Sequence, residues 1–145
     1  MAQAMEQFAG MNVETFTGIV LAAVSVAYVD GMVDTQENKV MTNAVLEITG
    51  GHFSYDDIQK ILDGALAEVV REGVEASVAR AAKVVADEPT RAVAMIFAAA
   101  VAWAARGVSA AETARLEQLA RAFEIGKARY AELVAAGKEL AQASR

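Results

Sequence analysis

The sequence has no cysteine, one histidine and one proline. Without thiols there are no disulfides, no thiolate nucleophile and no thiol redox chemistry. With a single imidazole there is no ordinary zinc site either. Carboxylates and backbone carbonyls remain as donors, and these suit hard ions such as calcium or magnesium. Strand-rich stretches are lacking too, and with 55% hydrophobic residues the composition favours a compact all-helical fold. A basic excess is missing, since the net charge is -6. Nucleic acid and anionic membrane both need a basic footprint, so neither is expected as the main partner.

Long apolar runs are also missing. Phe16 to Val29 and Ala92 to Ala105 are each about 14 residues, short of the ~20 that span a bilayer, and both read as buried core helices. The first ten residues, MAQAMEQFAG, carry no basic region ahead of an apolar run, so no secretory signal is read. The expectation is a cytoplasmic protein with no direct membrane insertion. No G-x-S-x-G elbow, phosphate-cradling glycine loop, H-E-x-x-H or dinucleotide turn occurs. A non-enzymatic protein is expected, with no catalytic residues and no certain cofactor.

What is present is helical periodicity. A length of 145 residues fits a single domain over 1–145 with a real core. Phe16, Ile19, Val20, Ala23, Val24 and Ala27 make one wide apolar face of a first helix ending at Asp30-Gly31. A second helix runs from about Thr35 to Thr49. Ser54 to Asp57 caps a third, in which Ile58, Ile61, Leu62, Ala65, Leu66 and Val69 give the clearest amphipathic pattern. Gly73 marks a break, and Val74, Val78, Ala81 and Val85 form a narrower fourth helix. Asp87-Glu88-Pro89 starts a fifth, Pro89 to Arg106, apolar nearly all round and taken as the central strut. Ser109 and Glu112 open a sixth, with Leu116, Leu119, Ala120 and Phe123 inward. The last, about Lys127 to Gln142, carries Tyr130, Leu133, Val134, Gly137, Leu140 and Ala141 on one side. Its small residues predict either packing across the other helices or a homodimer contact.

The stretch YVDGMVDTQE, Tyr28 to Glu37, is the one place where acidic residues cluster at a turn between two periodic helices. Asp34 with Glu37 three residues on is a capping-box-like pair. Asp30, Asp34 and Glu37 have two readings. They cap a helix and offset its dipole, at about 1 kcal/mol for a cap, or they ligate a hard cation. The loop is not an EF-hand, because its glycine comes too early and it is too short. A weak internal repeat relates VAYVDGMVDTQENKVMTNAV to VAWAARGVSAAETARLEQLA, which predicts two related helix-hairpin halves.

The corner VDGMVDTQE, Ala86-Asp87-Glu88-Pro89 ahead of the long apolar helix, and the second corner ARGVSAAE together resemble the TerB-like family, named for tellurite resistance. The likeness covers roughly residues 16 to 126. It implies an all-helical bundle of about seven helices built from two related hairpin halves around a central apolar helix. It also implies a non-enzymatic, metal-linked or scaffolding role in stress response, with protein partners and, through one of them, a membrane-associated assembly. At the second corner Arg106 stands where the family often has aspartate, which opposes a cation site there. The alternative is a divalent-cation sensor or buffer at Asp30, Asp34 and Glu37, holding calcium or magnesium. Residues 1–88 carry 14 acidic and 5 basic side chains, whereas 89–145 carry 5 and 8. The two parts either present different faces or intermix on folding.

Overall fold

A computed structural model describes residues 13–28, 38–39, 41–43, 46, 53–103 and 110–143. Six helices are bounded: α1 (Val13–Ala27), α2 (Tyr55–Glu72), α3 (Val74–Val84), α4 (Glu88–Ala102), α5 (Ala110–Ala122) and α6 (Lys127–Ala143). Helical positions also occur within 38–46, between α1 and α2. No strand occurs among the described residues, so the described chain is all-helical, and its core is one contiguous cluster.

The local signals act as their chemistry requires. Ser54 accepts from the Asp57 backbone N–H at 3.1 Å and starts α2. Gly73 has φ 91°, a conformation that side chains resist, and it serves as both the C-cap of α2 and the N-cap of α3. Asp87 accepts from the Thr90 backbone N–H at 3.1 Å, and Pro89 sits in the first turn, where its missing N–H costs nothing. The inward residues of α2 follow the amphipathic pattern, with Ile58, Leu62, Ala65 and Val69 buried and Ile61 and Leu66 half-buried.

The centre differs from the expectation of a single strut. α4 is buried on nearly every face, from Val93 through Ala102 with only Ile96 half-exposed. However, α1 is buried just as completely, because Leu21, Ala22, Ser25 and Val26 are covered as well as the expected face. The two helices pack on each other. α1 also takes α2, α3 and α5, while α4 takes α6 on its far side. The physical reason is composition: beyond Thr17, valine, alanine, isoleucine and leucine on all sides of α1 leave no polar face to turn to water, so that part needs neighbours on every side. Each large side chain such as Phe16, Ile19, Met95 or Phe97 contributes about 1.5–3 kcal/mol when fully buried.

α6 lies close on α4 because its small residues permit it. A Cβ on Gly137 would stand 2.5 Å from Ala99 Cβ and 2.6 Å from the Ile96 carbonyl. That face of the last helix is therefore occupied within the chain. Among the described residues no helix is long and apolar enough to cross a membrane.

Candidate functional site

Asp30, Asp34 and Glu37 lie outside the described residues, as do His52, Arg106, Gly107 and Ser109. The flanks of the acidic corner can be followed. α1 closes with the Tyr28 N–H donating to the Val24 carbonyl at 2.8 Å. Beyond the corner, the buried Thr42 hydroxyl donates to the Asn38 carbonyl at 2.9 Å and accepts from Gln59 Nε2 at 2.9 Å. Gln59 belongs to α2, so this bond ties the stretch after the corner to the third expected helix.

A cation also reaches the end of α1. Arg115 Nη1, on α5, lies 3.4 Å from the Ser25 carbonyl. The last carbonyls of a helix carry partial negative charge, which a guanidinium offsets. The chain thus supplies a positive charge to the turn that precedes the acidic stretch in sequence.

Arg91 is the most heavily engaged polar side chain described. Its guanidinium donates from Nε to the Val85 carbonyl at 2.7 Å, from Nη2 to Ala82 at 2.7 Å and from Nη1 to Phe123 at 3.2 Å. It also lies 5.5 Å from the Phe123 ring centroid. These carbonyls end α3 and α5, so one planar fork joins the negative ends of two helices to the start of α4. Arg91 stands in the first turn of α4, where its own helix dipole disfavours a cation, and the two other helix ends account for it there.

The α5 end is shaped for this contact. Ile125 N–H bonds the Ala120 carbonyl at 2.8 Å and Glu124 N–H bonds Arg121 at 3.1 Å, the paired pattern of a Schellman cap. Its left-handed residue is Glu124, at φ 58°, rather than a glycine. A cleft of about 380 Å³ adjoins it, lined in part by Glu88, Arg91, Glu124 and Arg129. Arg91 Nη1 lies 3.9 Å from Glu124 Oε2 there, Arg129 bonds Glu132 instead, and most of Arg91's donors are already spent on carbonyls. A second cleft, of about 270 Å³, opens between α1, α2 and α3. Leu21, Ile61, Ala65 and Val84 line it, with Glu14, Lys60, Glu68 and Arg80 at its rim.

Two groups have shifted protonation. Asp87 is held below the usual carboxylate range, chiefly by the Thr90 hydroxyl donating at 2.6 Å, against a smaller opposing effect of burial. Burial raises the Tyr130 phenol, and Glu117 adds to this. Among the described residues no three His, Cys, Asp or Glu side chains converge as a metal site would need.

Phe97 is core, and Trp103 is half-buried and packs against the core, with Lys138 Nζ 4.7 Å from its ring centroid. The Tyr55, Asp56 and Asp57 patch is exposed at the start of α2, as a helix start implies. The sequence reading missed Arg91 and Arg115. Arg91 has one local signal, a cation in the first turn of its own helix, and Arg115, in the middle of α5, has none. No family model, curated protein or solved structure matches the chain.

Proposed function

We propose that the chain is a TerB-like helical interaction module, cytoplasmic and non-enzymatic, that works in a stress-response assembly by docking other proteins. A partner, rather than the chain itself, would supply any membrane attachment. The observation that carries this reading is the start of α4. Ala86-Asp87-Glu88-Pro89, the second of the three segments behind the resemblance, caps and opens a helix with nearly every face buried. Side-by-side packing of α1 and α4 is also what two related halves would produce if each began with a small-apolar helix and turned at a glycine corner. In this reading Asp34 and Glu37 cap the helix that follows the corner.

The second reading, a calcium or magnesium sensor at Asp30, Asp34 and Glu37, is favoured by the spacing of three carboxylates within eight residues. Cross-linking of the tagged full chain in its native cells, followed by mass spectrometry, tests the docking reading. Reproducible cross-links to protein partners are expected. Recovery of the chain free of protein cross-links would overturn it.

A further inference from the structure

A glycine inside a helix weakens it relative to alanine, so each one needs a reason. Gly137 has one in Ala99 and the α4 backbone, and Gly18 has one in Val84, whose Cγ1 would lie 2.9 Å from an added Cβ. Gly64, in the middle of α2, has none. A Cβ there would meet no atom within 4 Å among the described residues, and the position is exposed.

Gly64 is also the centre of a charge pattern. Asp57 and Lys60 stand seven and four residues before it, and Glu68 and Arg71 stand four and seven after. Spacings of four and seven return to one face, so all five positions fall within an arc of about 80° at 3.6 residues per turn. That arc lies away from the buried Ile58, Leu62, Ala65 and Val69. Reflection through Gly64 exchanges every sign: Asp57 maps onto Arg71, and Lys60 onto Glu68.

We infer that α2 is a self-recognition surface, on which a second copy of this chain crosses antiparallel about a two-fold axis through Gly64. Each Asp57 then faces an Arg71 of the other copy, and each Lys60 faces a Glu68. A parallel crossing would set like charge on like charge. The two glycines meet at the crossing, where the missing side chains let the backbones approach. Arg80 already holds the Glu68 carboxylate at 2.5 Å and the Glu68 side chain is only 14% exposed, so Lys60 of the other copy meets this pair where it lines the cleft beside Gly64. The second copy would roof that cleft and cover the half-buried Ile61. Among the described residues Arg71 pairs with its exposed neighbour Glu72, at 3.0 Å, a surface pair that can exchange partners. One helix crossing buries less than the roughly 1,200–2,000 Å² of a stable interface, so the dimer is weak and concentration-dependent.

Sedimentation of the full chain over a range of concentrations tests this. The expected result is a reversible dimer of twice the 15.2 kDa chain mass, weakened about tenfold in high salt. Asp57→Arg and Arg71→Asp should each weaken it about tenfold alone. A 1:1 mixture of the two variants pairs opposite charges at both contacts and should restore association. Gly64→Leu should abolish the dimer while the monomer melts no lower than the wild type. A monomer at every concentration would overturn the proposal, as would a dimer indifferent to these substitutions or a mixture that fails to recover. A lower melting temperature for the Gly64→Leu monomer would also overturn it, because the face would then be covered by the chain itself.

Discussion

Arg91 concentrates at one residue what holds three helices together. Its three donors satisfy carbonyls that would otherwise end α3 and α5 unpaired, and an unmade bond at a mostly buried carbonyl costs about 1–3 kcal/mol. Lysine keeps the charge but is a point donor on a flexible stem and cannot reproduce the planar fork. Arg91→Lys is therefore expected to lose about 2 kcal/mol or more in denaturant unfolding. A loss within error would mean the fork is dispensable. Asp87 works at the same scale. Its carboxylate pKa is lowered in the folded chain, so its extra stabilisation is present above the unfolded value and fades as pH falls through the folded one. Asparagine caps almost as well but does not titrate. Asp87→Asn should therefore lie closer to the wild type in acid than at neutral pH, measured as melting temperature against pH. A constant offset across that window would contradict the cap's protonation dependence.

At the scale of elements, the same substitution is expected to have opposite signs on two helices. Gly137→Ala would press a methyl into the Ala99 side chain and the α4 backbone, and overpacking of this kind costs about 1–3 kcal/mol. Gly64→Ala meets open space and gains helix propensity, about 1 kcal/mol in the dilute monomer. Urea unfolding of both variants at low concentration checks the pair, and equal signs would contradict this account of α4 and α6. The helices differ in how far their sequence predicted their placement. α2 was legible because alternating apolar and charged positions define a face, and Ile58, Leu62, Ala65 and Val69 lie on it. α1 was only half legible. Its all-round valine and alanine fix burial but give no direction, so the second buried face at Leu21, Ala22, Ser25 and Val26 had no polar counterpart to reveal it. Arg91 and Arg115 were hidden for a different reason. Arg115 meets Ser25 90 residues away, and Arg91 meets Phe123 32 residues away, and no local pattern encodes either contact. Of the candidate site, sequence shows the spacing of Asp30, Asp34 and Glu37 but not what stands beside them.

As a whole molecule, the chain is proposed to act through contacts between helical surfaces, with its acidic corner serving as a helix cap. Thermal melting of the full chain with calcium, with magnesium and with chelator, at matched ionic strength, tests this most directly when run on the wild type and on Asp34→Asn. A cation bound at about 100 times its dissociation constant would stabilise the fold by about 2.7 kcal/mol. For a chain of this size that corresponds to a rise of roughly 5–10 °C. Superimposable curves in all three conditions are expected, with an Asp34→Asn variant that melts close to the wild type, because asparagine caps nearly as well as aspartate. A rise of several degrees with either cation, lost in Asp34→Asn, would contradict it and make the corner a cation site.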